Sequence, residues 1–245
     1  MLPYLTYQLD KNSLYIDVGN TTVKWLFDGS YQSVAVTEFN PKVLPEAKQV
    51  FVSCVGDKSL LSGVKNPIFV ESQPCFKSFK SAYEDARELG VDRFLAMIAV
   101  IDQYPNQTRL VIDAGSALTF DLVLADGRHQ GGLIMPGLGK LRRSFDKFCT
   151  ESQQLHNQQL ADNTSDAWAC GTGQMFTSVV NAQIEHYLDE FGDLVVVLSG
   201  GDSKLLALRL NHAVKLQPNL VLEGLSIYAQ TLTESVLAQG IIQPI

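Results

Sequence analysis

Apolar and polar residues follow two rhythms along the chain, and each change of rhythm marks an element. The segment Tyr15-Ile16-Asp17-Val18-Gly19-Asn20 follows a short β-rich stretch and runs into another, Thr22–Phe27. The segment Val111-Ile112-Asp113-Ala114-Gly115-Ser116 does the same and runs into Leu118–Leu124. Both read apolar-Ile-Asp-x-Gly-polar, which predicts a strand, a tight turn and a second strand. A weaker echo follows each copy. Phe51-Val52-Ser53-Cys54-Val55-Gly56-Asp57 and Val195-Val196-Val197-Leu198-Ser199-Gly200-Gly201-Asp202 are apolar strands that end in Gly/Asp turns, each before a Leu-rich helix start.

Helical spacing appears between these strands. Asp92–Asp102 is apolar at helical intervals, with Phe94–Ile101 as a core stripe. Ala167–Phe191 is a long helix opened by the capping residues Asn163-Thr164-Ser165-Asp166. Its Met175, Phe176, Val179, Val180 and Ile184 suit a core face or a dimer interface. Glu223–Leu237 reads as a last helix, and Glu151–Asn163 as an exposed Gln-rich loop with some helix. Strand and helix alternate in both halves. The expectation is therefore an α/β fold of two similar lobes, 1–105 and 106–245, divided near Tyr104-Pro105-Asn106-Gln107.

Composition narrows the function. The 245 residues are 46% hydrophobic and 18% charged, with a net charge of −7, as in an ordinary globular enzyme. No basic run exceeds the short Lys140–Arg143 group, which is expected on a solvated helix face, so a nucleic-acid partner is not indicated. No apolar run reaches the roughly 20 residues of a membrane span. The N-terminal MLPYLTYQLDK lacks signal-peptide character, which points to the cytoplasm. The four cysteines (Cys54, Cys75, Cys149, Cys170) form no CxxC pair and read as reduced, buried thiols. The four histidines show no zinc-ligand spacing.

The candidate chemistry lies in the Asp-x-Gly turns. Glycine after a strand permits positive φ and close approach of a ligand, and successive N–H groups in such a turn make an anion-binding concavity. A carboxylate beside it holds hydrated Mg²⁺ against phosphate oxygens. Asn20, Thr21 and Thr22 add neutral polar groups, and Lys24 brings a cation to the terminal phosphates. A lone Asp-x-Gly is a common hairpin turn; two copies in a duplicated frame carry more weight. The P-loop GxxxxGK[ST] is absent, and Gly137-Leu138-Gly139 does not extend into a dinucleotide fingerprint. Read by itself, Asp92 at the start of an apolar helix is an N-cap carboxylate, kept ionised by the positive helix terminus. Read by themselves, Arg93 forms a surface salt bridge or an anion clamp, and Tyr83 is a half-buried aromatic.

The paired turns resemble the phosphate loops of the acetate kinase, sugar kinase, Hsp70 and actin superfamily. Within it the chain resembles the type III pantothenate kinases over almost its whole length. The motifs are Asp17-Val-Gly-Asn-Thr-Thr-Val-Lys24, Gly90-Val91-Asp92-Arg93, Asp113-Ala-Gly-Ser116, Gly131-Gly-Leu-Ile-Met-Pro-Gly137 and Leu198-Ser-Gly-Gly-Asp202. The resemblance implies duplicated ribonuclease H-like lobes of actin and sugar kinase type with a central cleft. It also implies ATP-dependent phosphorylation of pantothenate.

In that family's terms, Asp17, Val18, Gly19, Asn20, Thr21, Thr22, Val23 and Lys24 line the ATP phosphates, and Ser116 contacts ATP where the family usually has Thr. Asp92 is the proton acceptor. Tyr83, Gly90, Val91, Asp92 and Arg93 bind pantothenate, with Arg93 facing its carboxylate. Thr164 touches pantothenate from a partner subunit of a homodimer, with Thr172 a nearby rival. Leu198–Asp202 forms the adenosine-side loop. Asp113 binds K⁺ or NH₄⁺, and ATP arrives with Mg²⁺. About ten extra residues precede the first strand, and Cys149–Asn163 aligns poorly. Two other functions fit the same motifs: a different small-molecule kinase of the superfamily, or a non-catalytic nucleotide-binding regulator.

Overall fold

The computed structural model describes residues 11–148 and 160–238. The extra N-terminal residues up to Asp10, Cys149, and positions 151–159 of the Gln-rich stretch lie outside them. In chain order the strands and helices are β1 (Ser13–Val18), β2 (Thr22–Phe27), β3 (Ser30–Ala35), β4 (Gln49–Cys54), β5 (Pro67–Phe69), β6 (Cys75–Phe76), β7 (Phe79–Lys80), α1 (Val91–Gln103), β8 (Arg109–Ala114), β9 (Ala117–Val123), β10 (His129–Pro136), α2 (Leu138–Arg142), α3 (Thr164–Phe191), β11 (Val195–Ser199), α4 (Ser203–Ala207), β12 (Lys215–Leu216) and α5 (Leu220–Ala238).

The chain divides into two compact units. Of the described residues, one unit comprises 11–76, 83–99 and 220–238, the other 77–82, 100–148 and 160–219. This division differs from a single cut near Tyr104. The C-terminal helix α5 returns to the first unit, where it packs on β1 and β4.

The first unit holds a five-stranded sheet in the order β3-β2-β1-β4-β5. β1 runs antiparallel to β2 and parallel to β4. Every residue of β1 is buried, as a central strand covered on both faces requires. Leu14, Ile16 and Val18 join Val23, Trp25, Val50, Val52 and Leu61 in one core cluster. On α1, Phe94 through Val100 are all buried, as the sequence stripe predicts. α5 approaches α1 closely at Gly224, where a Cβ would lie 2.0 Å from the Leu95 carbonyl oxygen.

The second unit repeats the plan: β10-β9-β8-β11-β12, with β8 antiparallel to β9 and parallel to β11. Its core gathers Leu110, Ile112, Phe120, Leu198 and, from α3, Phe176, Val180 and Ile184. Those three α3 residues therefore serve the core, whereas Met175 is exposed. The two echoes diverge after their third central strand. Asp57 leads into a 3₁₀ turn, Lys58–Leu61, whereas Asp202 leads into α4.

Candidate functional site

Pairing across the first sheet sets up the site. Asp17 at the end of β1 is the register partner of Lys24 on β2 and of Ser53 on β4. Register partners stand on the same face, so the three side chains form one row. Asp17 is only 6% exposed, and its Oδ1 accepts a 3.0 Å hydrogen bond from the Ser53 hydroxyl. Burial raises the Asp17 carboxyl from an ordinary 3.8 to about 6; Lys24 pulls it down, the charge of Asp92 pushes it up, and the Ser53 bond pulls it down again.

Beyond Asp17 the hairpin closes through the Gly19 N–H, which donates to the Thr22 carbonyl at 3.0 Å. Gly19 and Gly115 are not in the left-handed region, which corrects the expectation of positive φ in the motif turns. What glycine supplies here is room. A Cβ on Gly56 would lie 2.5 Å from the Gly19 carbonyl oxygen, and one on Gly137 would lie 2.0 Å from that of Gly115. Both motif turns are thus braced from behind by a second glycine. Asn20 and Thr21 are exposed, and Thr22 and Lys24 are half-buried.

The Gly90-Val91-Asp92-Arg93 motif opens α1 in the same unit. Asp92 is not the N-cap. It lies within the first turn, and its Oδ1 accepts from the N–H of Arg93 at 2.8 Å. Gly90 leaves space for it, since a Cβ there would sit 2.6 Å from that oxygen. Arg93 is 6% exposed, so its guanidinium is buried rather than held at the surface. Its Nη1 donates to the Tyr83 hydroxyl at 3.1 Å, and its guanidinium lies 5.8 Å from the Tyr83 ring centre. The first unit therefore holds Asp17, Lys24, Asp92, Arg93 and Tyr83, with the two carboxylates within electrostatic reach of each other.

The second unit holds Asp113, Ser116 and Thr164. Asp113 is the register partner of Thr119 on β9 and of Ser199 on β11, so the row is Thr119–Asp113–Ser199, with no lysine. Gly200 has φ +94, and a Cβ on it would lie 2.2 Å from Asp113 Oδ1. Thr164 is exposed at the first position of α3, where the Asn163 side chain caps the helix by accepting from the Asp166 N–H. Thr172 is buried: it donates to the Trp168 carbonyl at 2.7 Å and accepts from Arg142 Nε at 3.3 Å. Arg142 itself is 1% exposed, which corrects the solvated-face reading at that residue, whereas Lys140 and Arg143 are exposed as expected; the Arg142 Nη2 also donates to the Ala169 carbonyl. The thiols differ from expectation too, since Cys75 is exposed and Cys54 and Cys170 are only half-buried.

Among the described residues no three His, Cys, Asp or Glu side chains gather as metal ligands. A buried single carboxylate beside hydroxyls is a hard-oxygen donor set. It fits an ion that keeps most of its waters and shares phosphate oxygens, as Mg²⁺ does with nucleotides. Ser53 was not singled out from the sequence, though a polar residue inside the apolar Phe51–Cys54 strand, repeated as Ser199, was a usable signal.

Two like units, each a hairpin with parallel strands beside it, define the duplicated α/β class of acetate and sugar kinases, Hsp70 and actin. The fold is shared with a Campylobacter jejuni protein provisionally assigned as a Baf family transcriptional activator (TM-score 0.64, 23% identity, 90% of this chain and 99% of that one). It is shared also with the activator of 2-hydroxyisocaproyl-CoA dehydratase from Clostridium difficile, solved with bound ADPNP (TM-score 0.50, 12% identity, 95% and 98%). Residues 42–186 match the family model described as type III pantothenate kinase. The type III pantothenate kinase of Pseudoalteromonas translucida is 32% identical over 231 residues, covering 88% of this chain and 95% of that protein. The chain belongs to the type III pantothenate kinase family.

Proposed function

We propose that this protein transfers the terminal phosphoryl group of ATP to the primary hydroxyl of pantothenate, giving 4′-phosphopantothenate, the first step of coenzyme A biosynthesis. Beside family membership, one observation carries the reading. The buried Asp17 of the Asp17–Lys24 motif lies in the same unit as Gly90-Val91-Asp92-Arg93, which supports bringing phosphate loop and acceptor motif together.

The roles we assign are those that the family resemblance implies. Asp92, held by its neighbour's N–H, takes the proton from the attacking hydroxyl. Arg93, aligned by Tyr83, pairs with the pantothenate carboxylate. Lys24 places positive charge beside Asp17 for the terminal phosphates, and the Gly19–Val23 backbone positions them. Asp17 would hold Mg²⁺, which when bound neutralises phosphate charge. Ser116 contacts ATP, and Asp113 holds a monovalent cation, K⁺ or NH₄⁺. Thr164, exposed at the head of α3, reaches pantothenate of a partner subunit in a homodimer. The protein works in the cytoplasm; no described helix is long and apolar enough to cross a membrane.

The test is phosphorylation of pantothenate by the purified protein with Mg-ATP, with a panel of sugars and acyl acids as competing acceptors. Asp92→Asn should keep the fold and lower kcat by about two to four decades. Near-normal turnover in that variant would remove Asp92 as the base, and preference for another acceptor would remove pantothenate.

A further inference from the structure

Ser53 lies inside β4 between Val52 and Cys54 and has no exposed surface. A hydroxyl there is costly to bury without a partner, and an apolar residue would suit the strand better. Its partner is Asp17: Ser53 Oγ donates to Asp17 Oδ1 at 3.0 Å. The strands are parallel and the two residues are register partners, so the backbone fixes where the hydroxyl stands. From the opposite side, Lys24 stands across from Asp17 on β2. The carboxylate is thus flanked by a cation on one strand and a hydroxyl donor on the other. The second unit repeats the placement independently, with Ser199, 3% exposed, opposite Asp113.

We propose that Ser53 is a positioning residue of the phosphoryl-transfer site: its hydroxyl fixes the rotamer of Asp17 and so presents the carboxylate to the Mg²⁺ that accompanies ATP. This rests on the reading of Asp17 as part of the ATP-phosphate loop. A carboxylate anchored through one oxygen need not be ordered when the ion arrives, so the hydroxyl acts on metal-dependent nucleotide binding rather than on acceptor binding. Partners of this kind, one bond removed from a metal, typically change metal affinity or activity by about 10–100-fold when removed.

The experiment compares Ser53→Ala, Ser53→Cys and Ser53→Thr with the unmodified protein. Cysteine keeps the volume but is a weak donor, and threonine keeps the hydroxyl. Calorimetry gives the Kd of a non-hydrolysable ATP analogue with and without Mg²⁺, independently of turnover. Ser53→Ala and Ser53→Cys should lose about 10–100-fold of Mg²⁺-dependent affinity. Binding without Mg²⁺, and the KM for pantothenate, should be unchanged, and Ser53→Thr should restore the Mg²⁺ dependence. Should Ser53→Ala fail to fold, the cysteine and threonine pair carries the comparison. Equal weakening with and without Mg²⁺ would mean general loosening and would overturn the proposal, as would an unaltered Mg²⁺ dependence. Failure of the pantothenate reading is seen separately: the unmodified protein would bind the Mg²⁺ complex of the analogue yet not phosphorylate pantothenate.

Discussion

Asp17 is a carboxylate that the fold holds against its own stability, and Asp17→Asn measures by how much. Burial is the dominant cause of its rise from 3.8 to about 6. At about 1.36 kcal/mol per unit, a rise of roughly two units corresponds to about 3 kcal/mol. Because the folded value is the higher one, the group's stabilising contribution is complete below about pH 3.8 and is lost as pH rises through about 6. Asparagine resembles the protonated form and can still accept from Ser53. The variant without ligands should therefore be more stable than the parent above about pH 6, by up to about 3 kcal/mol, and nearly equal to it below about pH 4. For a chain of this size that gain is about 6–12 °C in Tm. Thermal or urea unfolding across that range, without Mg²⁺ or nucleotide, reads the difference directly. Adding Mg-ATP should then raise the Tm of the parent and leave the variant nearly unmoved. A variant no more stable near pH 8, or a gap that fails to close on acidification, would refute the reasoning.

Two further tests concern the second unit. Gly200→Ala should destabilise by about 2 kcal/mol or more, because positive φ and crowding against the Asp113 carboxylate and the Ala114 carbonyl act together; an unchanged urea midpoint would contradict this. If Asp113 holds the monovalent cation, replacing K⁺ by Na⁺ should lower the steady-state phosphorylation rate, and Asp113→Asn should abolish the difference between the two ions. Indifference of the parent enzyme to the swap would withdraw that role.

Much of the fold was legible because it is written twice. The echo of Tyr15–Asn20 in Val111–Ser116, and of Phe51–Asp57 in Val195–Asp202, aligns residues that become equivalent strands with the same neighbours and directions. Local patterns of this kind are properties of a segment. The features that escaped depend on partners distant in sequence. Nothing in Leu220–Ala238 says that α5 packs on β1 and β4, since its apolar surface would suit many grooves. Arg142 looked solvated because burying a guanidinium demands acceptors, and those it finds in the Ala169 carbonyl and the Thr172 hydroxyl lie far off in sequence on α3. Asp92 looked like a cap because helix starts are known from sequence only to within a residue or two, and here the helix begins at Val91, so the cap position falls on Gly90. Gly90-Val91-Asp92-Arg93 was legible as a motif, but the Arg93–Tyr83 bond spans a 3₁₀ turn, Ala86–Glu88, with its own sequence logic.

The duplication also bears on the two uses proposed for one turn. In both sheets the motif aspartate is flanked by a serine on the next parallel strand, so the inherited part is a carboxylate beside a buried hydroxyl. The other flank differs: Lys24 in the first unit, Thr119 in the second. A lysine beside the carboxylate leaves little net charge, which suits the polyanion and divalent ion proposed for that loop. A threonine offers a hydroxyl and no positive charge on that side, which suits the single cation proposed for it. The different ligands proposed for the two turns thus follow a difference in one cross-strand residue, alongside the backbone difference at Gly200, where φ is +94.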